Sequence, residues 1–158
     1  MARAVRQAQV RLTLSVPSID PAVMRRLVAE SRVARMATID PDGRPHLVPL
    51  VFAVDGDVLY SSIDDKPKRT PRVRRLGNIR ANPNRVTVLV DHYEEDWPAV
   101  WWVRLRGTGR VLEDGPERDR GLRLLSDKYH QYRDMPPQGA VIALEVTEWR
   151  GWSWRPLQ

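Results

Sequence analysis

A pair of serines followed by a dense group of cations is the strongest chemical signal in this sequence. Ser61 and Ser62 end a β-branched and apolar stretch, and Lys66, Lys68 and Arg69 follow within a few residues. Phosphate recognition needs hydroxyl donors and cations that converge on one point, with charge-assisted hydrogen bonds between them. A strand end followed by a basic turn supplies both, so this segment is a candidate phosphate-binding loop.

The charge of the chain is concentrated in the same place. The formal net charge is +6, and residues 66–75 carry six lysines and arginines and no acid, so the remaining 20 basic residues are matched by 20 acidic ones. Like charges this close repel one another until an anion binds. Nucleic acid, membrane headgroups and a small phosphorylated ligand are all candidate anions, and a solvated charged surface fits the same spacing. Pro67 and Pro71 stiffen the segment and favour a binding role.

Two other groups of residues fit a ligand pocket or a subunit interface. Trp102, Arg104 and Arg106 share one face of a strand, while Trp101 falls on the other, so one tryptophan is expected in the core and the other beside two arginines. Pro49 lies inside a strand pattern, which predicts an edge strand or a bulge because proline has no N–H to donate. His46 opens that strand and could line a pocket.

Several classes of protein are disfavoured by what the sequence lacks. It has no cysteine, and its three histidines have no partner at helical spacing, so no metal site is expected. It contains no dinucleotide fingerprint, phosphate-binding P-loop or nucleophile elbow. No apolar run approaches the roughly 20 residues of a membrane span. We expect a cytoplasmic protein with no membrane or nucleic-acid partner.

The elements that hold these residues alternate in a way that is typical of a barrel. Residues 1–16 are expected to form a flexible tail or an extra strand, and 17–158 a single domain. Helical spacing and strand patterns predict a helix from Pro21 to near Ser31, strands over 33–39, 46–54 and 57–63, a short helix within 72–85, strands over 85–93 and 100–114, a helical stretch that begins near 116 and that Met135-Pro136-Pro137 ends, and a last strand over 140–149. Asp55-Gly56 predicts a hairpin between the second and third strands, and Gly107 and Gly109 permit a bend in the long strand. This order predicts a mainly β (α+β) split β-barrel with a few peripheral helices.

These motifs, in this order, resemble the pyridoxamine 5′-phosphate oxidase-like family of flavin-binding split β-barrels, and within it the branch that uses the deazaflavin F420. The resemblance covers about residues 21–155. It rests on the opening helix, the hairpin ARMATIDPDGRPHLVPLVF, the strand and loop LYSSIDDKPKRTPRVRRLGNIRANP, the strands VTVLVDHYEEDW and VWWVRLRGTGRVLE, and the closing EVTEWRGWSW. No counterpart is found to the substrate-phosphate arginine and histidine of true pyridoxamine-phosphate oxidases, which argues against vitamin B6 chemistry.

The resemblance implies a homodimer with a cofactor site at each subunit interface. Ser61, Ser62, Lys66, Lys68 and Arg69 would hold the cofactor phosphate, with Arg75 assisting. The ring system would lie against Val48 and Pro49 with His46 near its edge, and Trp102 would approach from the partner. No catalytic side chain is assigned, although His46 is one conceivable proton source.

The function implied is hydride transfer from reduced F420 to a small unsaturated or conjugated substrate. The long basic segment suits the extended anionic tail of F420 better than compact FMN. An FMN-dependent oxidoreductase of the same fold and a non-catalytic cofactor carrier or sensor are the alternatives. A nucleic-acid binder would use the same basic run, but aromatic residues do not interleave with it as single-strand platforms require.

Overall fold

The computed structural model describes residues 19–63 and 74–158. These residues form a seven-stranded antiparallel sheet in the order β2-β1-β5-β6-β7-β4-β3, with four α-helices packed around it. The strands are β1 (Ala34–Ile39), β2 (Pro45–Leu50), β3 (Ala53–Asp55), β4 (Val58–Ser62), β5 (Val86–His92), β6 (Trp101–Leu112) and β7 (Val141–Ser153); the helices are α1 (Pro21–Glu30), α2 (Arg74–Ala81), α3 (Pro116–Lys128) and α4 (His130–Asp134). The sheet curls around one main core as a split β-barrel, as the sequence predicts. The predicted tail, residues 1–16, lies outside the described residues.

Helix α1 begins as the sequence predicts. The Asp20 carboxylate accepts a 2.8 Å hydrogen bond from the Ala22 amide, and Pro21 occupies the first helical position. Met24 and Val28 on one stripe of the helix are buried in the main core. The cap and the apolar stripe therefore fix where the helix starts and which face it buries.

The prediction of one strand over residues 46–54 is wrong, because within that stretch the chain passes from one edge of the curled sheet to the other. β2 pairs with β1 at one edge of the sheet, whereas β3 pairs with β4 at the other edge. Val51 and Phe52 form the crossover between them. Phe52 is fully buried, and its N–H donates to the Tyr129 hydroxyl over 3.1 Å instead of to a neighbouring strand. Pro49 lies on edge strand β2, which confirms the prediction of an edge or a bulge.

Strand β6 is long and bent, as its glycines predict. The register with β7 shifts between Arg106 and Gly107. A Cβ atom on Gly107 would lie 1.8 Å from the Glu145 carbonyl oxygen, so only glycine allows the two backbones this approach. Val103 and Leu105 point inward and are fully buried, and Trp101 packs against the same core. Trp102 and Arg104 lie on the outer face.

The C-terminal part of the chain departs from the sequence prediction in two places. β7 runs to Ser153 rather than ending at 149, because residues 149–153 pair with residues 101–105 of β6. Helix α3 ends at Lys128 and the separate short helix α4 follows it, whereas the sequence predicts one helical stretch that Met135-Pro136-Pro137 ends. Within residues 19–63 and 74–158, no helix has the length and apolar character needed to cross a bilayer.

Candidate functional site

A cleft of about 270 Å³ opens beside the crossover between β2 and β3, where the barrel is split. Its walls come from the end of β2, the end of β4, the start of α2 and helix α4. The lining residues are Val33, Pro49, Leu50, Val51, Ser62, Arg75 and Tyr132. Three of the predicted site residues, Pro49, Ser62 and Arg75, thus lie in one place although they are distant in sequence.

Ser62 is the last residue of β4, and its hydroxyl is buried without a partner among the residues that the structure describes. The residue is only 4% exposed, and its Oγ atom makes no hydrogen bond to any described residue. A buried hydroxyl without a partner costs about 1–3 kcal/mol, so such groups are rare unless something else satisfies them. Its position on the cleft wall makes the Ser62 hydroxyl a candidate contact for a polar ligand atom.

Ser61 has a different role from its neighbour. Adjacent residues of a strand point to opposite faces, and the Ser61 Oγ donates a 2.8 Å hydrogen bond to the Val51 carbonyl. That bond ties β4 to the crossover and so supports the cleft wall. The structure thus separates the predicted serine pair into a residue that lines the cleft and one that holds its wall in place.

Arg75 supplies positive charge to the cleft. It is the second residue of α2, is half-buried, and contributes to the same lining as Ser62. Residues 64–73, which connect the two cleft walls, include Lys66, Lys68 and Arg69, and these three predicted residues lie outside the described residues. Ser62, which precedes these residues in the chain, and Arg75, which follows them, therefore both line the cleft.

The remaining predicted residues lie elsewhere in the chain. On β2, His46 and Val48 stand opposite Thr38 and Met36, on the face turned toward the core, and neither lines the cleft. The His46 Nδ1 atom is buried and has no hydrogen-bond partner among the described residues. Trp102 lies on the outer face of β6 with the Arg104 guanidinium 5.7 Å from its ring centroid.

Four lining residues were missed by sequence reasoning: Val33, Leu50, Val51 and Tyr132. Tyr132 belongs to α4, where it forms an edge-to-face contact with Tyr129 at a centroid distance of 6.0 Å. Its position three residues after Tyr129, in the predicted helical stretch, is the one sequence signal that could have found it.

The wall behind the cleft is held by the end of α3. The Tyr129 hydroxyl contacts the carbonyl oxygens of Arg32 and Phe52, each at 2.8 Å, and burial raises its pKa. The Lys128 ammonium donates a 2.7 Å hydrogen bond to the Ser31 carbonyl and lies 4.2 Å from the Phe52 ring centroid. Burial, with a smaller effect of Arg32, lowers the pKa of Lys128 to about 8. These contacts fix the two segments that contribute Val33 and Val51.

The cleft is suited to an anion with an apolar part. Of the seven lining residues, Arg75 is cationic and none is acidic, while four are apolar. Hydroxyl and guanidinium donors beside an apolar surface match a ligand that joins a phosphate or carboxylate to a less polar body.

Comparison with known proteins agrees with this description of the fold. Residues 21–153 match the family described as Pyridoxamine 5'-phosphate oxidase. No curated protein sequence matches the chain.

Three solved structures share the fold at low sequence identity. A conserved hypothetical protein from Mycobacterium tuberculosis is 20% identical, with a TM-score of 0.73 over 90% of this chain and 89% of that one. A FAD-binding protein from Mesorhizobium loti is 23% identical, with a TM-score of 0.63 over 86% and 94% of the two chains. A heme binding protein from Mycobacterium smegmatis is 18% identical, with a TM-score of 0.66 over 81% of this chain and 51% of that one.

The family match spans most of the chain and includes every strand, and the solved structures share its split barrel. The chain therefore belongs to the pyridoxamine 5'-phosphate oxidase family.

Proposed function

We propose that this protein is an oxidoreductase that binds a phosphate-bearing flavin-type cofactor in the cleft, with reduced F420 as the leading candidate. The observation that carries the proposal is the Ser62 hydroxyl, which is buried in the cleft wall without a partner among the described residues. A phosphate oxygen would accept a hydrogen bond from this hydroxyl and remove the cost of burying the hydroxyl unpaired. We assign this end of the cleft to the cofactor phosphate.

The charge near Ser62 supports an anionic ligand. Arg75 lines the same cleft, and residues 64–73 connect the two sides, so Lys66, Lys68 and Arg69 lie within a few residues of one wall or the other. Together these cations would neutralise a phosphate group and a further anionic tail. A compact FMN carries one phosphate, whereas F420 carries a longer anionic tail, and the size of the cationic surplus favours F420.

The apolar wall suits the remainder of the cofactor. Val33, Leu50 and Val51 offer a surface that excludes water from one side of a bound group. Ligand pockets commonly reach about 300–1,000 Å³, so a cleft of about 270 Å³ is too small to enclose a whole flavin nucleotide. The cofactor would therefore extend beyond the cleft of one chain.

A second copy of the chain would complete the site. Leu47 on the outer face of β2 is 66% exposed, and the half-buried Leu89 and Trp102 lie on the same face of the sheet. An open apolar sheet face with such residues is typical of a subunit interface. We propose a homodimer in which this face is covered and Trp102 approaches the partner's cofactor.

The proposed reaction is the reduction of a small unsaturated or conjugated compound. When bound, F420 or a flavin would supply the hydride chemistry, which belongs to the cofactor. Ser62 would donate a hydrogen bond to the phosphate, Arg75 would neutralise it, and the apolar wall would hold the adjoining group away from water. The FAD-binding protein of the same fold favours a flavin nucleotide as the alternative cofactor.

The test is a titration of the purified protein with F420, FMN, FAD and heme, followed by fluorescence or absorbance. We expect micromolar binding of F420, and Ser62→Ala or Arg75→Gln should weaken it about 10- to 100-fold, the worth of a hydrogen bond to a charged group. Arg85→Gln removes the same charge from an exposed position beyond α2 and serves as the control. Equal affinity of all four proteins would refute the assignment of the phosphate to this cleft.

The cationic segment has a test of its own. Reversing two of its charges with Lys68→Glu and Arg69→Glu should abolish cofactor binding and leave the fold unchanged by circular dichroism. Co-purification of a yellow flavin would identify FMN or FAD, rather than F420, as the cofactor. Tight binding without turnover of enones or quinones would favour a carrier over an enzyme.

A further inference from the structure

Three arginines lie around one carboxylate on the outer face of strands β6 and β7. Arg104 stands directly opposite Arg150 in the pairing of the two strands, and Arg106 stands opposite Glu148. The Arg106 Nη1 and Arg150 Nε atoms both approach the same Oε1 atom of Glu148, at 3.7 and 3.6 Å. Like charges directly opposite one another on a sheet face are destabilising. Three positive charges against one negative charge leave this group with a surplus that an anion would relieve.

Arg104 is partly withdrawn from water beside an indole ring. It is half-buried, and its guanidinium lies 5.7 Å from the Trp102 ring centroid. Within residues 19–63 and 74–158, Arg104 forms no ion pair, and its Nε atom is buried without a hydrogen-bond partner. Asp91, which stands opposite Trp102 on β5, is already paired with Arg35. A charge that is partly removed from water without a counter-charge is unfavourable, so an anion that reached Arg104 would be bound.

Aromatic side chains adjoin the arginines. Trp102 stands directly opposite Trp152, and this pair lies two residues along the same face from the opposed arginines. Both tryptophans are half-buried, and the Trp152 ring meets the Trp154 ring edge-on at 6.4 Å. Two residues of a strand span roughly 7 Å. A small planar molecule with a carboxylate at one end would therefore reach an arginine and an indole at once.

We propose that Arg104 and Arg150 bind the carboxylate of the substrate, so that the conjugated compound reduced by this protein is an acid. The planar donors of arginine match a carboxylate, and the tryptophans offer a surface for the conjugated body. The proposed second copy would cover this face and bring its cofactor to Trp102, so an acid held here would lie beside that cofactor. As an assignment of substrate class, the inference rests on the proposed function. The two arginines bind and orient the substrate and take no part in the redox step.

The test compares two ligands that share one conjugated body and differ in charge. Trans-cinnamate and trans-cinnamamide are titrated by calorimetry against the purified wild-type protein and Arg104→Gln. We expect the wild-type protein to bind the acid about tenfold more tightly than the amide, as for one hydrogen bond to a charged group. Arg104→Gln should lose this preference and leave binding of the amide unchanged, and Arg104→Lys, which keeps the charge, should retain part of it. Arg123→Gln removes the same charge from an exposed position on α3 and is the matched control.

The outcomes separate the two proposals. If the protein binds F420 or a flavin but does not prefer the acid to the amide, the proposed function stands and the carboxylate site is refuted. A preference that Arg104→Gln keeps in full also refutes the site. An equal loss for the acid and the amide in Arg104→Gln would overturn the inference as well, because it would assign the effect to packing of the sheet face rather than to charge. If Arg104→Gln abolishes the preference but no flavin-type cofactor binds, the carboxylate site stands and the proposed redox function fails.

Discussion

The Tyr129 hydroxyl is expected to be the most important single polar group for the stability of the crossover. It accepts from the Phe52 N–H at 3.1 Å and contacts the carbonyl oxygens of Phe52 and Arg32, each at 2.8 Å. A phenol has one proton, so it donates to one carbonyl at a time. Tyr129→Phe removes that donor and acceptor while the ring stays in place, and leaves the buried Phe52 N–H without this acceptor.

The size of the effect follows from these contacts. A buried unsatisfied amide costs about 1–3 kcal/mol, and the lost donation to a carbonyl adds about 0.5–1.5 kcal/mol. We therefore expect Tyr129→Phe to lower the free energy of unfolding by about 2–3 kcal/mol, which for a domain of this size lowers Tm by roughly 4–12 °C. Urea denaturation followed by circular dichroism measures the change, with Tyr93→Phe as an exposed control. A loss below about 0.5 kcal/mol would refute this account of the crossover.

Three further changes test other parts of the fold. Burial lowers the pKa of Lys128 to about 8 in the folded protein, so between pH 8 and 10.5 the unfolded chain binds more protons and the free energy of unfolding rises with pH. Because the Lys128 side chain is half-exposed, we expect a rise of about 1 kcal/mol. Urea titrations at pH 7.5 and 9.5 should show this rise for the wild-type protein and not for Lys128→Met. An identical rise in the two proteins would contradict the lowered pKa of Lys128. Gly107→Ala should lower the free energy of unfolding by more than about 3 kcal/mol, because the added Cβ would clash with the Glu145 carbonyl. A soluble variant with an unchanged Tm would contradict the geometry of the bulge. Arg110 donates two 2.6 Å hydrogen bonds to the Glu117 carboxylate and lowers the pKa of Glu117. Glu117→Gln should therefore lower the free energy of unfolding by about 1 kcal/mol at pH 7, and by less as the pH falls through the pKa of Glu117. A difference between the two proteins that does not change with pH would contradict the lowered pKa.

Features of the fold that depend on local sequence could be predicted. Asp20 before Pro21 predicts the start of α1, and Asp55-Gly56 predicts the hairpin between β3 and β4, where Gly56 has a φ of +59°. The alternation around Trp102 predicts which side chains of β6 face the core. Each of these depends on contacts between residues close in the chain, and those are the contacts that sequence patterns record.

The crossover could not be predicted, because its cause lies elsewhere in the chain. Residues 47–54 are all apolar, and together with His46 they fit a single strand. The strand is interrupted because the backbone of Phe52 is satisfied by the hydroxyl of Tyr129, which is 77 residues away in sequence. No local pattern encodes such a partner.

The candidate site was predictable in its chemistry and less so in its geometry. The adjacent serines had to face opposite sides of β4, but strand pairing decides that Ser62 lines the cleft while Ser61 bonds to Val51. Tyr132 was missed because the sequence predicts one helical stretch there, and the break that starts the five-residue helix α4 has no side-chain cap to mark it. The roles of Lys66, Lys68 and Arg69 stay predictions, since they lie outside the described residues.

A crystal structure of the protein grown with F420 or FMN tests the central claim most directly. The account predicts two copies of the chain around each cofactor, with a phosphate oxygen within about 3 Å of the Ser62 Oγ and the guanidinium of Arg75 beside it. A cofactor bound with its phosphate away from this cleft, and a water molecule on the Ser62 hydroxyl instead, would contradict it.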